Sequence, residues 1–207
     1  MKIVYCVDVH NKFAAVQDAL KKIGTVDLLI IGGDITDRGT PDDAERAITG
    51  WRGAVPQLLA IAGNMDTPAI DDRLAKLGVA LDGRGVVFGD IGVFGVSVWG
   101  KSAAGTPFSA RIAAGFAAVK SCRIKIFCPH FPPRDTLCDL DRSGQHVGHP
   151  HVKDFIVREQ PDLVLCGHVH APRQDRVGKT LIVNPGPAAS GHYAVVEIGQ
   201  QVDVRVV

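Results

Sequence analysis

The chain has 207 residues, 46% of them hydrophobic, with 23 basic side chains against 22 acidic ones. That balance argues against a polybasic grip on nucleic acid or on an anionic membrane surface. No apolar run approaches the ~18 residues of a bilayer-spanning helix, and the length suits one domain over 1–207.

The first half alternates in period. KIVYCVDV (2–9) reads as a strand, and NKFAAVQDALKKI (11–23) as an amphipathic helix ended by Gly24. VDLLIIG (26–32) is a second strand, and PDDAERAITGW (41–51) starts a helix with Pro41 in its first turn. VPQLLAIAG (55–63) is a third strand, with a helical stretch around AIDDRLAKL (69–77). Strands alternating with helices imply a parallel sheet covered on both faces. From residue 79 to 99 the texture changes to short β runs punctuated by glycine, which suits a meander. A helix near 107–120, the strand RIKIFC (123–128), a helix near 151–159 and the strand DLVLC (162–166) follow. TLIVN (180–184), HYAVVEIG (192–199) and QVDVRVV (201–207) close the chain as β runs. The sum predicts an α/β fold of two sheets with helices outside, one sheet largely parallel and the other more antiparallel.

The opening MKIVYCVDVH has too short an apolar run, interrupted by Asp8, for a secretion signal. Five cysteines without CxxC spacing read as free thiols of a reducing cytoplasm; Cys6, Cys128 and Cys166 fall in apolar runs, while Cys122 and Cys138 have no clear place.

Five segments share one design, an apolar run that ends in polar, metal-competent residues: KIVYCVDVH, DLLIIGGD, LLAIAGNMD, IKIFCPH and DLVLCGHVH. Parallel strands bring their C-terminal ends to one edge, where open α/β folds place ligands. Asp8, His10, Asp34, Asn64, His130, His168 and His170 would converge there. Taken singly, each has a bland explanation: Asp8 or Asn64 could cap the helix that follows, and Gly32-Gly33 could be a turn. Seven oxygen and nitrogen donors exceed one tetrahedral zinc site. They suit two metals about 3.5–4 Å apart sharing a carboxylate.

The motifs Asp8-Val9-His10, Gly33-Asp34, Gly63-Asn64-Met65-Asp66, His130 and Gly167-His168-Val169-His170 resemble those of the calcineurin-like metallophosphoesterase superfamily, in order and strand context from residue 3 to 170. The compact motifs and the stretch 141–148 resemble its small prokaryotic phosphodiesterase branch. The resemblance implies a four-layer αββα sandwich of two mixed β-sheets flanked by helices. It also implies two divalent metal ions, with Mn²⁺ favoured and Fe, Zn, Co or Ni compatible with mixed ligation. Asp8, His10 and His170 would hold one metal, Asn64, His130 and His168 the other, and Asp34 would bridge them. The implied chemistry is attack on phosphorus by a metal-bridging hydroxide, in line with the leaving group.

Many members of that family carry histidine where this chain has Met65, near the leaving group. Methionine has no proton to give. A substitute is sought in the long stretch 131–149, expected to form a flap over the metals, with His146 as phosphate contact or acid and Arg142 as a second phosphate contact. His149, His151 and His192 read as structural or surface residues. The expected function is a phosphodiesterase acting on a small phosphate ester, with no membrane and no nucleic acid polymer as partner. A phosphomonoesterase with the same metals, or a non-catalytic metal-binding scaffold for other proteins, is the alternative. A homo-oligomer is an expectation by resemblance alone, for which GRGVVFGDIGVFGV offers an exposed edge or else an internal hairpin.

Overall fold

The computed structural model describes residues 1–99 and 105–207. The first sheet takes strands β1 (Lys2–Cys6), β2 (Leu28–Ile31), β3 (Gln57–Ala60), β10 (Ala194–Ile198) and β11 (Val202–Val206), ordered β11-β10-β1-β2-β3. The second takes β4 (Gly85–Phe88), β5 (Ile91–Val96), β6 (Ile124–Pro129), β7 (Leu163–Leu165), β8 (Arg173–Val177) and β9 (Thr180–Asn184), ordered β4-β5-β6-β7-β9-β8. Helices α1 (Phe13–Ile23), α2 (Pro41–Arg52) and α3 (Pro68–Lys76) cover the first sheet, and α4 (Phe108–Ala117) and α5 (Pro150–Glu159) cover the second.

The two-residue period of the strands sorts their side chains into layers. In β1, Ile3 and Tyr5 point between the sheets to meet Ile126 and Leu163, while Val4 and Cys6 point outward to Val16, Leu20 and Trp51 of the helices. The second sheet does the same: Ile126 faces inward, whereas Phe127 stacks on Phe94 at 4.8 Å among Phe116 and Phe155 of α4 and α5. The four-layer α/β/β/α architecture follows from this sorting.

Helix α2 shows the local logic. Thr40 accepts a hydrogen bond from the Asp43 amide, and Asp43 accepts one in return from the Thr40 amide, a capping box with Pro41 at the first helical position. Ala44, Ala47, Ile48 and Trp51, spaced three and four apart, form its buried face. All five cysteines are buried and unpaired by disulfide, Cys122 and Cys138 included. Among the described residues no helix is long and apolar enough to cross a membrane.

The expected four-layer sandwich of two mixed sheets is what the structure shows, but the more parallel sheet is the second one and not that of the N-terminal strands. The pairs β1–β2 and β2–β3 are parallel, but β10 joins β1 antiparallel and carries β11 with it. The second sheet is parallel from β5 through β6 and β7 to β9, with antiparallel hairpin partners β4 and β8 at its edges. Local hydrophobic pattern makes a strand; it does not say which sheet a C-terminal hairpin will join. GRGVVFGDIGVFGV forms the β4–β5 hairpin and also places β4 at the sheet edge. Strand β8, of sequence RQDRV, escapes a reading by hydrophobic pattern, because a half-exposed edge strand carries no apolar run.

Candidate metal centre

The parallel strands β1, β2 and β3 and their counterparts β6 and β7 release the chain at a common edge. Asp8 and His10 follow β1, Asp34 follows β2, Asn64 follows β3, His130 follows β6, and His168 and His170 follow β7. Backbone hydrogen bonds zip the loops together. The amides of Val9 and His10 both donate to the Asp34 carbonyl, at 2.8 and 2.9 Å, and that of Gly167 donates to the His130 carbonyl at 2.9 Å. Asp8, His10, Asp34 and His168 all sit in the left-handed region, at φ 55°, 45°, 49° and 68°. That conformation costs roughly 1–2 kcal/mol for a non-glycine residue, and Asp and His are among the types that tolerate it best. Four strained residues in one cluster of side chains are a cost the surrounding bonds must offset.

The glycines of the motifs make room for this packing. A Cβ at Gly63 would lie 2.1 Å from Asp34 Oδ1, and one at Gly167 would lie 2.2 Å from Val7 Cγ2 and 2.9 Å from Asp8 Oδ2.

The side chains converge as donors of lone pairs. His10 Nε2 lies 3.2 Å from His170 Nε2 and 3.8 Å from Asp34 Oδ2. His170 Nε2 is 3.9 Å from Asp8 Oδ1, and His130 Nε2 is 3.5 Å from Asp34 Oδ2. Asn64 Oδ1 is 2.9 Å from His130 Nε2 and 2.8 Å from His168 Nδ1. Two groups, Asp8–His10–His170 and Asp8–Asp34–His130, each keep their ligand atoms within 4.8 Å of one another. His130 Nδ1 is 2.9 Å from the Gly32 carbonyl, which can only accept, so Nδ1 donates and Nε2 is directed at the cluster.

Asp8 and Asp34 are fully buried, yet among the described residues neither pairs with lysine or arginine; their only cationic neighbours are histidines. Burial lifts the carboxyl pKa of Asp8 despite the opposing pull of His130. For Asp34 burial works in the same direction, but His130 and the Met65 amide outweigh it and hold the pKa below the usual range. Burial disfavours a charged His130, but the Asp34 and Asp8 carboxylates more than compensate and raise it to about 9. Burial and the neighbouring His130 push His168 down to about 4, leaving it a neutral imidazole. Buried carboxylates without a fixed cation, facing imidazole lone pairs, fit a site built for metal ions. Donors bound at about 2.0–2.2 Å lie roughly 3–3.5 Å apart around one ion, close to the separations seen.

A second set of residues fixes the loops. Asp66 is buried, and its carboxylate accepts from the amides of Ile35 (3.1 Å), Thr36 (2.9 Å) and Gly63 (3.0 Å) and from the Thr36 hydroxyl (3.0 Å). It therefore clamps the Asp34 loop to the Asn64 loop. Asn184 donates to the carbonyls of Gly167 (3.1 Å) and Val169 (2.6 Å), holding the loop of His168 and His170. Phe131 meets the His168 ring edge to face at 4.5 Å. Replacing Asp66 by alanine leaves these donors without an acceptor, at about 1–3 kcal/mol for each buried group. Asp66→Ala is expected to lose at least about 3 kcal/mol of unfolding free energy, read from urea denaturation; a loss below about 1 kcal/mol would show that the clamp is dispensable.

The structure brings Asp8, His10, Asp34, Asn64, His130, His168 and His170 together. It does not bring His146 to them. The Nδ1 of His146 lies 2.7 Å from the buried carboxylate of Asp139, and its ring is not among those lining the cleft or the adjoining cavity. Arg142 lines that adjoining cavity rather than the cleft. Neither Asp8 nor Asn64 caps a helix: Lys12 and Thr67 occupy those positions. His149 stacks on Phe108 at 4.3 Å, as a structural residue does. Sequence reasoning missed Asp37, which lines the cleft with Met65, and Asn184. Asn184 ends the apolar run TLIVN, so the same rule that found the other strand ends could have found it.

Two mixed sheets with a buried cluster of carboxylates and imidazoles where their parallel strands end define an α/β fold with a candidate metal centre. The chain belongs to the calcineurin-like phosphoesterase superfamily, whose domain model matches residues 1–201. An uncharacterized protein of Methanocaldococcus jannaschii is 27% identical over 197 residues, covering 90% of this chain and 88% of its own. The crystal structure of TT1561 of Thermus thermophilus superimposes with a TM-score of 0.75 at 17% identity, over 99% of this chain and 97% of that one. A structure described as that of an archaeal phosphodiesterase gives a TM-score of 0.57 at 14% identity, over the full length of both chains. At these identities the two structures establish the fold.

Proposed function

We infer that the chain is a metal-dependent phosphodiesterase that acts on small phosphate diesters. The observation that carries this reading is the convergence of seven donor side chains, two of them buried carboxylates that no lysine or arginine neutralises among the described residues. Asp8, His10 and His170 would hold one divalent cation, and Asn64, His130 and His168 the second; Asp34, whose Oδ2 faces both His10 and His130, would serve both. When bound, the two cations supply Lewis acidity toward the phosphate oxygens and an activated water at neutral pH. Mn²⁺ is the favoured occupant, with Fe, Co, Ni and Zn acceptable to the same mixed donors.

The protein's own groups do the rest. Gly32 orients His130 through its carbonyl, and Asp66 and Asn184 hold the loops that present Asp34, Asn64, His168 and His170. Met65, in the cleft wall, gives no proton to a leaving oxygen. That limits the site to esters whose leaving groups depart readily or reach solvent. His146 is bonded to Asp139 through Nδ1 alone, and its Nε2 makes no hydrogen bond to the donor cluster among the described residues. The left-handed strain at four of the donor residues is a cost that a protein-binding scaffold has no use for.

The test is hydrolysis of bis-p-nitrophenyl phosphate against p-nitrophenyl phosphate with Mn²⁺ supplied. Diester turnover is expected to exceed monoester turnover, and Met65→His is expected to raise the rate on esters with poor leaving groups by about tenfold or more. Dominant monoester turnover would establish the phosphomonoesterase alternative. Absence of turnover of both esters across Mn²⁺, Fe²⁺, Co²⁺, Ni²⁺ and Zn²⁺ would overturn this reading for activated esters and shift weight to the scaffold alternative or to a narrow natural substrate.

A further inference from the structure

A cavity of about 350 Å³ opens beside the donor cluster. One wall is Leu140, Asp141, Arg142 and Val147 of the 131–149 segment; the other is Val169, Ala171 and Arg173 around the start of β8. His168 and His170 line this cavity and also the cleft containing Asp34, Asn64 and Met65, so the two hollows meet at these imidazoles. The volume is in the range of small-ligand pockets, about 300–1,000 Å³.

The lining has a definite chemistry. Leu140, Val147, Val169 and Ala171 give it apolar lining, and Arg142 and Arg173 are its basic residues. Arg142 makes no side-chain hydrogen bond or ion pair among the described residues. Arg173 Nη1 donates to the Leu137 carbonyl at 3.1 Å, which anchors the group at the wall and leaves its other N–H donors available. The single carboxylate, Asp141, is occupied by its own turn: its Oδ1 accepts from the Ser143 amide (2.8 Å), the Ser143 hydroxyl (2.7 Å) and the Gln145 amide (2.9 Å).

We propose that this cavity binds the retained arm of a phosphodiester substrate, and that the arm is a ring-sized apolar group ending in an anion. The proposal rests on the phosphodiesterase reading above, and a monoester has no second arm to place there. The apolar walls take the ring and the guanidinium groups of Arg142 and Arg173 take the anion. The leaving group then lies in the more open cleft by Met65 and Asp37, where water can reach its oxygen. Water adds its oxygen to phosphorus and gives up a proton to solvent, the P–O bond to the leaving alcohol breaks with its electron pair, and that oxygen takes a proton from solvent. The product is the phosphomonoester of the retained arm.

Three p-nitrophenyl diesters test this, because they share one leaving group and differ in the retained arm: phenyl, 4-carboxyphenyl and 4-phosphonophenyl. The anionic arms are expected to be favoured over phenyl by about tenfold in kcat/KM. The larger of the two gains identifies the preferred terminus. In Arg142→Ala and in Arg173→Ala the preference is expected to fall toward unity. Each preference compares substrates on one preparation, so partial loss of folded protein cancels. Calorimetry on the Mn²⁺-loaded protein adds a readout without turnover: 4-carboxybenzylphosphonate is expected to bind about tenfold more tightly than benzylphosphonate, and Arg142→Ala to remove the difference. Equal kcat/KM for all three arms, or a preference unchanged in both arginine variants, would overturn the proposal. If neither these esters nor bis-p-nitrophenyl phosphate is hydrolysed while the Arg142-dependent phosphonate binding persists, the phosphodiesterase reading fails and the anion site alone stands.

Discussion

Asp34→Asn is expected to lower bis-p-nitrophenyl phosphate hydrolysis by at least about a hundredfold, and to remove most of the stabilisation conferred by Mn²⁺. The change is nearly isosteric. Oδ1 still accepts from the Met65 amide, so the loop keeps its bond. What is lost is the negative charge at the oxygen that faces both His10 and His130. In place of a shared anionic donor stands an amide that cannot serve two cations. At Mn²⁺ about 100-fold above its Kd, binding stabilises the native state by about 2.7 kcal/mol, which moves the Tm of a chain this size by roughly 5–10 °C. Differential scanning calorimetry with and without Mn²⁺ reads that shift directly. Wild-type turnover together with a wild-type Mn²⁺ shift in the variant would remove Asp34 from the metal centre.

Gly63→Ala is expected to be strongly destabilising. The new Cβ would stand 2.1 Å from Asp34 Oδ1 and 2.3 Å from the Asp34 amide nitrogen, and neither has room to yield. The Asp34 loop is held by the Asp8 loop on one side and by Met65 on the other, while the Gly63 amide is itself bound to Asp66. Relief requires the two loops to separate, which moves Asp34 and Asn64 together. A loss of about 3 kcal/mol or more is expected in urea denaturation, above the usual range for added methylenes, with the Mn²⁺ shift reduced alongside it. Gly53→Ala is the control: its φ is −67° and the nearest atom to a Cβ is 3.9 Å away, so a change within about 0.5 kcal/mol is expected. Equal behaviour of the two variants would mean that the contact at Gly63 relaxes without cost.

Both expectations express one property of the site. Its polar residues are buried, strained and mutually supporting, so a change of one charge or one methyl group reaches several donors at once. Tyr5 illustrates the tightness from beneath: a Cβ at Gly32 would fall 2.0 Å from its hydroxyl oxygen, and Gly32 is the residue whose carbonyl orients His130.

Much of this was legible in the sequence because it is local. Alternation within KIVYC places Ile3 and Tyr5 on one face and Val4 and Cys6 on the other, and that period survives folding because it is a property of the extended backbone. Polar residues immediately after apolar runs marked the strand ends, and parallel strands can only deliver such ends to a common edge. The seven donors could therefore be named from residue order alone. Their distances, the left-handed conformations of Asp8, His10, Asp34 and His168, and the lack of a lysine or arginine partner at the buried carboxylates were decided by tertiary structure. So were the sheet membership of β10 and β11, the edge strand β8, and the positions of His146 and Arg142. For the donor cluster the deciding contacts join residues far apart in the chain, as Asp8 and His168 are across 160 positions. A one-dimensional pattern records what each segment prefers; which segments meet depends on how the whole chain buries its apolar faces.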